Sequence, residues 1–189
     1  MIKKIKLLKK YTVLFYIFSF FILSIPAWSQ DMGSSNNLPD GYRLIHLGMT
    51  IEETKQALEN DAFFGYRGDR DVSLLPSENK TLIETTGSTW LERSWFQFYN
   101  DKLYTIIINF NPAKLDYYSI FTTISNKYGD PKSLSPERTI WENDSVRLTL
   151  EQPCSVKYID MVVFNELLDQ STVEKSTTEI LRQNLLDDF

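Results

Sequence analysis

Residues Trp95–Phe110 leave this chain few ways to fold. They read Trp95-Phe96-Gln97-Phe98-Tyr99, then Asn100-Asp101, then Lys102-Leu103-Tyr104-Thr105-Ile106-Ile107-Ile108-Asn109-Phe110. Aromatic and β-branched side chains fit a pleated, half-buried surface. Asn-Asp suits a two-residue turn, because both residues tolerate positive φ. A β-hairpin is therefore expected, with arms Trp90–Tyr99 and Leu103–Phe110. On the second arm Tyr104, Ile106, Ile108 and Phe110 share one face, and Leu103, Thr105, Ile107 and Asn109 the other. The face with Tyr104, Ile106 and Ile108 is the more continuous apolar set and is expected to be core. On the first arm Trp95, Gln97 and Tyr99 oppose Phe96 and Phe98. Both faces carry apolar groups, so the hairpin should be covered on one side and partly covered on the other.

The flanking sequence supplies elements that can cover it. Tyr42–Leu47 reads as a short extended segment running into Gly48-Met49-Thr50-Ile51-Glu52-Glu53. Thr50 and Glu53 form a capping box, and Ile51, Thr54, Ala57 and Leu58 share a stripe, which predicts a helix over about Ile51–Asn60. Between Asp61 and Leu91, glycines 65, 68 and 87 mark turns, and Val72–Leu75 and Thr81–Thr86 are short strand candidates. Asp116 caps a second helix with Tyr117, Tyr118, Phe121, Ile124 and Tyr128 on its apolar face; Gly129 and Pro131 end it. Arg138–Glu142 and Val146–Glu151 form a second hairpin about Asn143-Asp144. Val156–Phe164 is a further strand, and Val173–Leu186 a closing amphipathic helix with Val173, Thr177, Ile180, Leu181 and Leu185 on one side. The expected class is α+β: an antiparallel sheet of about six strands with helices packed on one face. Each half offers a helix and then a hairpin closed by Asn-Asp, an internal repeat with an insertion in its first half.

Leu47-Gly48-Met49-Thr50-Ile51-Glu52-Glu53 resembles the opening of the BamE-like (SmpA/OmlA) outer-membrane assembly proteins, whose fold is related to that of the β-lactamase inhibitory protein. That family shows Gly-Met-Ser/Thr ahead of its first helix, and a Gly and a Pro where the helix closes. Here the closing pattern falls on the second helix, as Tyr128-Gly129-Asp130-Pro131, and the family's lipoprotein Cys is absent. The resemblance implies a small α+β envelope module that binds another protein and has no enzymatic activity. It carries over no site residues.

The amino terminus points to the same compartment. Lys3, Lys4, Lys6, Lys9 and Lys10 precede an apolar run from Tyr11 to Ile25, and Pro26-Ala27-Trp28-Ser29 places small residues at the −3 and −1 positions. Residues 1–29 read as a secretory signal peptide cleaved after Ser29, and no Cys near that site offers lipoprotein modification. Residues 30–41 read as a flexible linker and 42–189 as one domain. Loss of five lysines would move the formal charge from −5 to about −10. Such a balance argues against nucleic acid or anionic lipid as partner. An exported protein of the periplasm or extracellular space is expected, without stable membrane insertion after cleavage.

No constellation for chemistry stands out. His46 is the only histidine and Cys154 the only cysteine, too few for an imidazole or thiolate metal site, and no nucleophile motif accompanies them. Cys154, beside Pro153 and far from any His, reads as a small buried hydrophobe, and His46 as a strand histidine near the surface. Asp69-Arg70-Asp71 lacks the ligand spacing of a calcium loop, and no Gly-rich phosphate loop occurs. No catalytic residue, metal or cofactor is expected. Two function classes remain: a non-enzymatic envelope module that binds another envelope protein, and a small envelope-polymer hydrolase using a carboxylate pair or an acid beside His46. The first is favoured by the surplus aromatics of the central hairpin, since Trp and Tyr bury large area and keep a polar tip. Its expected contact residues are Trp95, Tyr99 and Leu103.

Overall fold

The computed structural model describes residues 37–74 and 79–187. The expected signal peptide, most of the expected linker and Leu75 of the expected Val72–Leu75 strand lie outside the described residues. The described elements are β1 (Gly41–Tyr42), β2 (Ile45–His46), α1 (Ile51–Glu59), a 3-10 turn (Gly68–Asp71), β3 (Val72–Leu74), β4 (Lys80–Thr86), β5 (Leu91–Tyr99), β6 (Lys102–Phe110), α2 (Tyr117–Tyr128), β7 (Ser133–Leu134), β8 (Arg138–Glu142), β9 (Val146–Glu151), β10 (Ser155–Asp160) and α3 (Met161–Asp187). The fold is α+β. β1 and β2 pair with each other, and the other eight strands form one antiparallel sheet in the order β3-β4-β5-β6-β10-β9-β8-β7.

That order contains a repeat. Each half is a helix followed by a four-stranded meander, and the last strands of the two meanders, β6 and β10, pair at the centre of the sheet. The repeat visible in the sequence is real, but displaced by one strand. The Asn100-Asp101 turn joins the third and fourth strands of its meander, whereas Asn143-Asp144 lies between the second and third. Asn-Asp marks where a tight turn is possible; it does not number the strands.

Between Gln97 and Phe98 the β5–β6 pairing slips by one residue. Phe98 pairs with Leu103 and Gln97 with Thr105, which leaves Tyr104 as a bulge. The two-residue turn, with φ of 48° at Asn100 and 59° at Asp101, sets Leu103 opposite Phe98 on the inner face. Had that register continued, Ile106 would oppose Trp95 and the aliphatic run would face outward. The extra residue reverses the alternation, so Ile106 opposes Phe96 and Ile108 opposes Ser94. Leu103, Ile106, Ile108 and Phe110 are all buried, while Tyr104 turns out. Leu103 and Tyr104 thus exchange the faces expected from simple alternation, and Leu103 belongs to the core.

The bulge sits where β6 changes partners. Thr105 is the last residue of β6 paired with β10. Beyond it, the Gly48 N–H donates to the Leu103 carbonyl at 2.7 Å, and the Leu103 N–H donates to the Met49 carbonyl at 2.8 Å. Gly48 has φ +83°, which glycine adopts at no steric cost. Thr50 then caps α1: its hydroxyl accepts the Glu53 N–H, and the Glu53 carboxylate accepts the Thr50 N–H at 2.8 Å. The Thr50 N–H, and the Thr50 hydroxyl donating to the same carboxylate at 2.9 Å, hold the Glu53 carboxyl below the usual carboxylate range. Asp101 in the hairpin turn accepts the Ile51 N–H at 3.1 Å, satisfying another orphan amide of the helix start. Gly-Met-Thr therefore clamps the first helix to the end of the central strand.

α1 and α2 cover the inner face. Leu58 and Ile124 join the buried cluster, whose large members include Phe64, Phe96, Phe98, Ile106 and Trp141. Leu38 also packs against this cluster, and the Leu47 N–H donates to the Asp40 carbonyl at 2.8 Å. The domain thus begins a few residues before the end of the expected linker.

α3 departs from expectation. Met161–Phe164 continues as helix and not as strand. The Asp160 carboxylate accepts the N–H groups of Val162 and Val163 at 2.9 and 3.2 Å, and the Met161 N–H donates to the Ser145 carbonyl. A short Val-Val-Phe run fits either structure by pattern, and the cap decides it. The first turns of α3 lie on the face opposite α1 and α2. The Arg147 guanidinium sits over the Phe164 ring, 5.5 Å from its centroid, and the Tyr99 hydroxyl donates to Gln170 at 3.2 Å. From Thr172 on, every described side chain is exposed, including Val173, Ile180 and Leu181. Among the described residues no helix is long and apolar enough to cross a membrane.

Candidate functional site

The outer face of the sheet carries a groove of about 590 Å³ over its central strands. Its floor is Leu82 from β4, Trp95 from β5 and Ile107 from β6. Trp95 pairs directly with Ile107 and with Glu84 on the other side. The rim is polar. Arg93 lies over the Trp95 ring at 5.8 Å and pairs with Glu84 at 3.1 Å. On the far side Lys157 pairs with Glu151 at 2.6 Å. Gln97 and Asn109 line the groove between them, and the Tyr104 hydroxyl donates to Gln97 at 3.3 Å. An apolar strip framed by solvent-facing polar groups is the anatomy of a docking surface.

The three expected contact residues separate. Trp95 lines the groove. Tyr99 is on the same face, four residues along β5, where its hydroxyl meets Gln170 of α3. Leu103 is fully buried in the core and lies away from this face, for the register reason given above. Leu82, Ile107, Lys157 and Glu151 were not expected. Of these, Ile107 was within reach: alternation already sets it apart from Ile106 and Ile108. Leu82 and the two charges come from strands whose neighbours no local pattern reveals.

The edges of the sheet offer little. β3 has three residues and β7 has two, and short edge strands are poor templates for strand addition.

Other candidate chemistry is dispersed. His46 is half exposed, with Nδ1 2.9 Å from the Asp40 carboxylate; neither lines the groove. Asp61 and Asp71 are buried but committed. Arg43 grips Asp61 through Nε and Nη2 at 2.6 and 3.2 Å, and the Arg67 backbone and guanidinium both donate to Asp71. Cys154 is buried, its thiol donating to the Leu115 carbonyl at 3.0 Å. Burial, then Asp116 and Glu92, push its pKa up, the opposite of what a reactive thiol needs. Glu142 bridges Lys132 and Arg147, which hold its carboxyl below the usual range. Among the described residues no group of three or more His, Cys, Asp and Glu could hold a metal ion.

A family model described as the TP0088 domain matches residues 40–170. No curated protein and no solved structure matches the chain. The matched span runs from the aspartate that receives the Leu47 amide to the glutamine that meets Tyr99. It takes in the packed sheet and the seated turns of α3, and leaves out the projecting remainder of that helix.

Proposed function

The chain belongs to the TP0088 domain family, and on that premise we propose that it is an exported, non-enzymatic envelope protein that binds another protein through the outer face of its sheet. One observation carries the reading: the Leu82–Trp95–Ile107 strip is apolar and open on a sheet whose other face already holds the core. The partner would present an apolar side chain to this strip, ringed by groups that meet Arg93, Glu84, Lys157 and Glu151. The resemblance to BamE-like assembly proteins supports the same reading through the Gly48-Met49-Thr50 helix start.

Export is tested on the protein made in its native host. Mass spectrometry should find an amino terminus near Gln30; an intact Met1 on a membrane-embedded species would refute it. Binding is tested by pull-down from the native envelope with the unaltered protein and with Trp95→Ala/Tyr99→Ala. Both side chains are half-buried and outward, so the double variant should stay folded and lose partner capture about fivefold or more. Unfolding of the double variant, or undiminished capture by it, would sink the proposal. Hydrolysis of envelope polymer has a single observation in its favour, the Asp40–His46 contact. A dyad on an open surface lacks the concave site that such chemistry needs.

A further inference from the structure

A second concavity lies on the opposite, inner side of the molecule. It has a volume of about 490 Å³ and occupies the seam between the two halves, with the β1–β2 region on one side, α2 on the other and strands β6, β9 and β10 beneath. One end is apolar: Phe110, Leu115 and Ile120. The other end holds Lys127, Tyr128 and Tyr158; Tyr42, whose ring meets that of Phe110 edge-on at 5.9 Å, runs along one side with Arg43. The two ends are separated by most of the length of α2, on the order of 15 Å from Tyr117 to Lys127.

The polar end contains a donor that no described residue engages. Tyr158 is only 6 % exposed, and its hydroxyl makes no hydrogen bond with the described residues although it lines the cavity. A phenol hydroxyl that faces a cavity takes its partner from whatever fills it, water or ligand. Burial, with the neighbouring Tyr128 and Tyr42, holds its proton on, so the group faces the cavity as a donor. Charge points the same way. No Asp or Glu lines the cavity, in a chain of net charge −5. Lys127 has no ion pair among the described residues; it rests 5.6 Å from the centroid of the Tyr128 ring. Arg43 spends two nitrogens on Asp61 and keeps its positive edge at the rim.

We propose that this seam cavity binds a carboxylate with an apolar body, the body against Phe110, Leu115 and Ile120 and the carboxylate accepting the Tyr158 hydroxyl beside Lys127. Size and lining are those of small-ligand sites, which run to a few hundred Å³ with a few convergent polar groups. The occupant differs in kind from a protein docked on the outer face, and either reading can fail alone.

Decanoate is the probe, titrated calorimetrically into the full protein, with methyl decanoate as its neutral counterpart. Decanoate should bind with one-to-one stoichiometry, and the ester about tenfold more weakly or worse. Tyr158→Phe, which keeps the ring, and Lys127→Gln, at an exposed position, should each weaken decanoate several-fold. Thr123→Trp, placed on the outer wall of the cavity, should abolish binding while circular dichroism shows the native fold. Absence of saturable decanoate binding would overturn the proposal. So would ester binding equal to that of decanoate, or binding that survives Thr123→Trp in a folded protein.

Discussion

Phe96→Ala is expected to cost about 3–5 kcal/mol, a loss large enough to unfold much of a domain whose total stability is on the order of 5–15 kcal/mol. Phe96 has no exposed surface. It stands on a central strand between Ile83 and Ile106, and the Phe64 ring meets it edge-on with centroids 5.6 Å apart. Phe64 belongs to the loop after α1, so the ring ties that connection to the sheet. Truncation leaves a cavity walled by β-strands on both sides, which cannot collapse to fill it. Phe96→Leu keeps most of the volume and should cost no more than about 1.5 kcal/mol. Chemical denaturation of the three proteins measures both differences. A Phe96→Ala cost below that of Trp95→Ala, its outward neighbour on the same strand, would mean that the faces are assigned wrongly.

Trp141→Ala should be of similar size, about 3–5 kcal/mol, and it acts on the other half. Trp141 is 2 % exposed on β8 and packs against Phe121 of α2 at 6.0 Å. Its indole N–H donates to the Gly129 carbonyl at 2.9 Å, at the end of α2 where carbonyls lack helical partners. One side chain thus supplies both apolar area and a helix cap across the sheet–helix interface. Trp141→Phe keeps the area and removes the donor, which should cost about 1–3 kcal/mol. Denaturation midpoints separate the two contributions. Full stability in Trp141→Phe would show that the indole–carbonyl bond adds nothing.

Neither anchor could be ranked from sequence. Both are aromatic residues in strand-like runs, as is Trp95, and only register separates a core ring from a groove ring. The same limit applies to Leu103, expected on the outer face and found at its centre of burial. A single bulge at Tyr104 made the difference, and it lies where Gly48 and Met49, more than fifty residues earlier, take over pairing with the end of β6.

The seam cavity was invisible for a related reason. Tyr42, Lys127 and Tyr158 lie on three elements scattered over more than half the chain, and no spacing rule links them. Nothing in their local sequence marks Tyr158 as a donor without a partner. That depends on what packs above it.

Local chemistry was enough where the cause is local. The Thr50–Glu53 capping box, the Asp116 cap and Gly129 stop of α2, the positive-φ turn at Asn100-Asp101 and the alternation of Phe96 and Phe98 against Trp95 and Gln97 are each set by residues within a few positions of one another. The α+β class follows from them, because such elements have few ways to bury their apolar faces together. Tertiary structure alone decided which hairpins are equivalent in the two halves, where β6 slips register, which face α3 starts on and what meets across the seam. Those outcomes rest on backbone and side-chain pairings between distant segments, and a chain's local preferences carry no information about which distant partner will satisfy them.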